Sequence, residues 1–254
     1  MNQLRHIQRL FQQWNAVLPL LSMLLGIAIH NGFRQGDITY LFMGVAVAVI
    51  VYTVAPFMDL VRATRFAPLA LGIIYGCIPY LFGLSILGIP PAGVDFIWLA
   101  ALSLLGASTM VLYGLDEKSV KDKPAASALA EQLGTDWACF VGLICAVLGS
   151  LLIIWQVRNA LWLVTMVALY LGALAFCIVQ LADIRDRKAA YAAIITSGTI
   201  LHGLLATLII AYTFIAGNAS TTTTIVSTGI ITAFFMGVFL LLVAKPRLVV
   251  SKHR

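Results

Sequence analysis

The stretch Gln180-Leu-Ala-Asp-Ile-Arg-Asp-Arg-Lys188 stands between two long apolar runs. Five of its nine side chains ionise, in a chain with only ten acidic and sixteen basic residues. A charge in a bilayer core costs roughly 2.5 kcal/mol or more, so this stretch belongs at a membrane surface, where one apolar helix ends and the next begins. Asp183 and Asp186 are three positions apart. If the helix continues through them, both carboxylates point to one side, as two ligands of one divalent cation would.

Outward from this stretch the chain is apolar almost throughout. Hydrophobic residues make up 61% of the 254 positions and charged residues 10%, with a mean hydropathy of +1.00. That composition excludes a soluble protein and predicts an all-α, polytopic integral membrane protein forming one transmembrane domain over residues 1–254. The net charge of +6 therefore reports on loops rather than on a nucleic-acid surface. Cys77, Cys139, Cys145 and Cys177 all lie in apolar runs without metal-pair spacing, and read as small buried hydrophobes with no disulfide and no zinc site. The first fifteen residues are polar and carry Arg5, His6 and Arg9, unlike a cleavable leader.

A span needs about 20 mostly apolar residues, and eight spans are expected: Asn15–Gly32, Ile38–Val54, Ala67–Leu87, Phe96–Gly114, Trp137–Gln156, Ala160–Ala182, Ala189–Ala216 and Ile225–Ala244. Of the sixteen Lys and Arg residues, all but Arg34 and Arg158 fall on one face of that layout. The positive-inside rule makes this face cytoplasmic, with both termini on it, as in a cell inner membrane. The acidic residues divide the same way, only Asp37 and Asp95 lying in outer loops. Longer cytoplasmic loops account for that division, and so does a polar, metal-using site opening to the cytoplasm. Gly72, Gly76, Pro79 and Gly83 predict a kinked, closely packed third span, and Gly142 and Gly149 a packing seam on the fifth. Trp98, Trp155 and Trp162 sit at outer span boundaries and Trp14 and Trp137 at inner ones, the positions of an aromatic belt. His202, deep in the seventh span, reads as a helix-packing hydrogen-bond donor.

Three cytoplasmic clusters carry chemistry-bearing residues: Asp59, Arg62 and Arg65; Asp116, Glu117, Lys118, Lys121 and Asp122; and the opening stretch. Carboxylates on two helix ends can hold Mg²⁺, and Mg²⁺ with nearby Lys or Arg can bind a diphosphate by neutralising its charge. Ordinary cytoplasmic loops, with acids balancing bases, contain the same residue types.

This layout resembles the UbiA superfamily of intramembrane prenyltransferases, whose members carry one aspartate-rich motif after the second helix and another after the sixth. The first motif, N-D-x-x-D-x-x-x-D, falls on Ala55, Pro56, Asp59 and Ala63, followed by Ala67-Pro68-Leu69 and Gly72; one carboxylate of three remains. The second, D-x-x-D-x-x-x-D, falls on Asp183, Asp186 and Ala190, retaining two of three. Tyr113, Lys118 and Lys121 are similar in place to a family loop that helps close the substrate chamber. The resemblance implies an eight-helix bundle with a lipid-facing chamber that acts on a polyprenyl diphosphate. It also implies Asp59, Asp183 and Asp186 as Mg²⁺ ligands and Arg62, Lys118 and Lys188 as diphosphate partners. Two other readings stay open. One is a non-catalytic divergent member or integral subunit that binds a lipid, a pigment or a partner protein. The other is a small transporter, disfavoured because no intramembrane carboxylate or arginine marks a translocation path.

Overall fold

The computed structural model describes residues 17–30, 70, 72–118, 135–183 and 187–251. Side chains are described within them except at 109–118, 135–136, 180–183, 187–195, 242 and 244–251. Among the described residues there is no strand, and the helices are α1 (Val17–Ile29), α2 (Ile73–Ile86), α3 (Gly93–Lys118), α4 (Thr135–Val157), α5 (Leu161–Asp183), α6 (Arg187–Ala216) and α7 (Thr221–Ser251). Four stretches within them are long and apolar enough to cross a membrane: Trp137–Val157, Leu161–Val179, Thr196–Ala216 and Thr221–Leu241. Each is close to the 20 residues that cover about 30 Å of hydrocarbon at 1.5 Å per residue. Of the remaining expected spans, the first, third and fourth coincide with the shorter apolar helices Val17–Ile29, Ile73–Ile86 and Gly93–Ser108. The second, Ile38–Val54, lies outside the described residues.

Local chemistry sets the helix ends. α2 stops at Gly88, whose φ of +66° places it in the left-handed region that glycine enters without penalty. There Gly88 N–H bonds Ser85 O and Ile89 N–H bonds Leu84 O, a Schellman closure. α6 ends in the same way, with Asn218 at φ 55° and bonds from Asn218 N–H to Ile215 O and Ala219 N–H to Phe214 O. Ser220 caps α7, its Oγ accepting Thr223 N–H at 3.1 Å. Gly72, Gly76 and Gly83 pack closely, as expected, and the first part of α2, Ile73–Cys77, is a π-helix, the wide turn that commonly absorbs a helix irregularity.

Glycines allow the close crossings of α1 to α4. A Cβ on Gly72 would run into Ser103 O of α3 and lie 2.7 Å from Ala107 N, one on Gly83 would lie 2.6 Å from Met23 O of α1, and one on Gly149 3.0 Å from Ala101 O. Lipid tails give helices no hydrophobic reason to associate, so backbones this close, with their dispersion contacts, supply much of the packing energy. α6 is the central helix: 61% of its apolar window is buried, against 17% for peripheral α7. Tyr170 OH pairs with Thr207 Oγ1 at 2.9 Å, and Thr207 Oγ1 with Thr232 Oγ1 at 3.4 Å, which ties α5, α6 and α7 together.

Helix directions follow from paired contacts. Gly203 faces Phe235 while Thr207 meets Thr232, so α6 and α7 run antiparallel. Tyr80 meets Asp95, and Cys77 meets Leu99 and Ser103, so α2 and α3 run antiparallel as well. The Trp98 ring, near the start of α3, meets the Tyr212 ring, near the end of α6, with centroids 5.9 Å apart. α3 therefore runs back along α6 from that level, and its last residue reaches the end of the bundle where α6 begins.

Candidate functional site

The expected diphosphate site draws on six residues. Asp59, Arg62 and Asp186 lie outside the described residues. The backbone of the other three is described: Lys118 is the last residue of α3, Asp183 the last of α5 and Lys188 the second of α6. By the helix directions above, all three are at one end of the bundle. Residues 184–186, between α5 and α6, lie outside the described residues. Among the described residues no three His, Cys, Asp or Glu side chains gather to hold a metal ion. The donors for Mg²⁺ would be the carboxylates of Asp59, Asp183 and Asp186, a set of hard oxygens that suits that ion chemically.

At the opposite end stands a site that the sequence presents only as a loop acid. Asp95 is wholly buried. Its Oδ1 accepts Tyr80 O–H at 2.6 Å and His30 Nε2–H at 2.8 Å, and its Oδ2 accepts the backbone N–H of Ala92 at 2.8 Å. Ala92 is the N-cap of α3, since Asp95 N–H bonds back to Ala92 O at 3.0 Å. Asp95 thus occupies the position from which an acidic side chain closes a capping box. Its negative charge also lies against the positive end of the helix dipole. Because a carboxylate only accepts, both Tyr80 and His30 are donors here, which fixes the proton of His30 on Nε2.

Burial by itself would raise the Asp95 carboxyl. The bonds from His30, Tyr80 and Ala92, with the attraction of His30, outweigh it and hold the group below the usual carboxylate value. The cluster joins three elements: His30 directly after α1, Tyr80 on α2 and Asp95 on α3. Gly26 supports the junction, since a Cβ there would lie 2.9 Å from Tyr80 O. Chemically this is a buried anion with a histidine oriented by it. His30 is the partly exposed member, with 22% of its side chain accessible.

One expectation changes as a result. Trp98, expected in the aromatic belt, is fully buried one turn below Asp95. Trp137 and Trp155 are exposed as a belt requires, and Arg158 lies over the Trp155 ring at 4.1 Å. His202 donates Nδ1–H to the carbonyl of Gly198 one turn back on its own helix. The one sequence signal for the missed site is an acid three positions after a turn residue and just ahead of an apolar run, the pattern of a capping box. Compared with models of protein families, with characterised proteins and with solved structures, the chain matches none.

Proposed function

We propose that the chain is an eight-span, UbiA-like prenyltransferase of the cell inner membrane, with both termini cytoplasmic, acting on a polyprenyl diphosphate. The observation that carries the reading is the grouping of Lys118 of α3, Asp183 of α5 and Lys188 of α6 at one end of the bundle. Asp59, Asp183 and Asp186 are the proposed Mg²⁺ ligands, and Arg62, Lys118 and Lys188 the diphosphate partners. Mg²⁺, when bound, would neutralise the diphosphate and so favour its departure. The basic residues orient the headgroup from the membrane surface, while the isoprenoid tail lies among apolar helices where water is excluded.

The test uses the full chain in lipid nanodiscs with farnesyl diphosphate as probe. Binding is expected to require Mg²⁺, to be lost on chelation, and to fall at least tenfold in Asp183→Ala and Asp186→Ala variants that remain inserted and folded. Unchanged binding in both variants would remove the assignment. A second reading is favoured by Ala55, Pro56, Ala63 and Ala190, which stand where the family pattern has Asn or Asp. It is a non-catalytic integral subunit that holds a lipid, a pigment or a partner protein. That reading requires no Mg²⁺-dependent diphosphate binding, together with a partner that co-purifies in stoichiometric amount.

A further inference from the structure

One face of α4 is exposed and apolar along its whole length. Trp137, Phe140, Ile144, Leu148, Leu151 and Trp155 recur every three or four residues, which puts them in one line along the helix, and all six are exposed. From Trp137 to Trp155 the helix rises about 27 Å at 1.5 Å per residue, close to the ~30 Å of a bilayer's hydrocarbon. The ridge thus has the length of a lipid-facing surface, with a tryptophan at each interface level. Arg158 follows Trp155 by three residues, at headgroup depth, and its Cζ lies over the Trp155 ring, 4.1 Å from the centroid. We infer that Arg158 and Trp155 form a binding site for the phosphate of an anionic phospholipid, one of whose acyl chains lies against Leu151 and Leu148.

Charge and geometry define the occupant. The indole attracts the guanidinium through its π-face but neutralises none of its charge. Among the described residues the one ion pair is that of His30 with Asp95, so Arg158 has no carboxylate partner there. A guanidinium held on a ring has less freedom to lose when its planar fork takes two phosphate oxygens. A zwitterionic headgroup brings a cation of its own to Arg158, whereas an anionic one does not, and this selects a lipid of net negative charge. Free phosphate has no chain to lay on Leu151 and Leu148. In the expected layout all Lys and Arg residues except Arg34 and Arg158 lie on the other face, so the positive charge at this end is local. α5 begins three residues after Arg158 and runs to Asp183, which sets Arg158 at the end of the bundle opposite the proposed diphosphate site and makes the two assignments independent.

The test places the full chain, labelled with 5-fluorotryptophan, in nanodiscs where phosphatidylglycerol progressively replaces phosphatidylcholine of the same acyl chains. The ¹⁹F signals of Trp155 and Trp137 are identified by their absence in Trp155→Phe and Trp137→Phe, both at exposed positions. The Trp155 signal is expected to shift saturably with the phosphatidylglycerol fraction. In Arg158→Gln the midpoint of that shift should move to about a fivefold larger fraction, the worth of one basic side chain at an anionic surface. The midpoint is read rather than the starting shift, because the substitution also removes the cation from the ring. Arg158→Lys, which keeps the charge without the fork, should fall between the two, and the Trp137 response should be the same in all three proteins. A Trp155 shift that follows the lipid fraction linearly, or a midpoint unmoved by Arg158→Gln, would leave only bulk surface charge and overturn the inference. A Trp155 signal indifferent to lipid composition, as when a second copy of the chain covers the ridge, overturns it as well.

Discussion

Replacing Tyr80 by Phe removes one hydroxyl and leaves the ring. That hydroxyl donates at 2.6 Å to a carboxylate, and both side chains are wholly covered. Hydrogen bonds to charged groups contribute about 1.5–3 kcal/mol. For a chain of this length each kcal/mol shifts the melting temperature by roughly 2–4 °C, so Tyr80→Phe is expected to melt about 3–12 °C lower. Cys77, Cys139 and Cys177 are buried, so the reaction of a thiol-specific fluorophore on heating in a fixed detergent reports the transition. Asp95→Asn completes the cycle: the carboxamide cannot receive Tyr80 and His30 on one oxygen and Ala92 N–H on the other, because one of its two groups is a donor. In the Asp95→Asn background the further loss from Tyr80→Phe should be smaller, with a coupling of about 1–2 kcal/mol. A Tyr80→Phe transition within about 1 °C of wild type, or strictly additive effects, would refute the claim that the Asp95–Tyr80 bond holds α2 to α3.

Two further outcomes follow from the same geometry. Gly72→Ala drives a methyl into Ser103 O and puts it 2.7 Å from Ala107 N, backbone atoms that cannot swing away. It should cost about 1–3 kcal/mol by overpacking, whereas Gly172→Ala, with nothing within 4 Å, should be neutral or stabilising by up to about 1 kcal/mol; the fluorophore melt compares them, and equal effects would contradict the close crossing. The folded Asp95 carboxyl titrates below its ordinary value of 3.8, so its contribution is complete above that value and is lost as pH falls through the lower, folded one. The gap in melting temperature between wild type and Asp95→Asn should therefore persist from neutral pH to about 4 and narrow only in stronger acid; a gap that instead closes between pH 7 and 5 would assign the effect to another group.

Helix positions and helix faces differ in how far they can be read from composition. The separation of the apolar windows Leu161–Val179 and Thr196–Ala216 is readable because five charges in nine residues between them leave no other place for the stretch than a membrane surface. The end of α4, the start of α5 and the end of α6 follow the apolar runs to within a few residues. Facing is another matter. In a helix apolar on all sides, the pattern does not separate lipid from protein, so Trp98 at a span boundary reads as a belt residue although it is wholly buried, its ring against Tyr212 of α6. The Asp95 site is harder still. Its partners are 15 and 65 positions away, and the expected topology places Asp95 beside water, where an unpaired carboxylate needs no explanation. The π-turn in α2 is half-readable: Gly72, Gly76 and Pro79 announce an irregular helix, but not that the irregularity is a π-turn.

The two oxygens of Asp95 divide the work between local and long-range structure. Oδ2 holds the Ala92 N–H, an interaction complete within the first turn of α3 and available to an acid at that position in any helix. Oδ1 receives Tyr80 and His30, neither of which a cap requires, and so converts a helix start into a junction of three segments. Were capping the whole role, Tyr80 could be Phe and His30 any residue, and the carboxylate would be left in water, where its charge costs nothing. Enclosing it instead exposes the fold to a desolvation cost that only the complete donor set offsets. Every donor is then needed at once, and α1 cannot leave the α2–α3 hairpin without stranding a buried anion. That interdependence makes the junction a single cooperative unit, and it sets this end of the bundle apart from the end carrying Lys118, Asp183 and Lys188, where the sequence places opposite charges at helix termini within reach of the membrane surface.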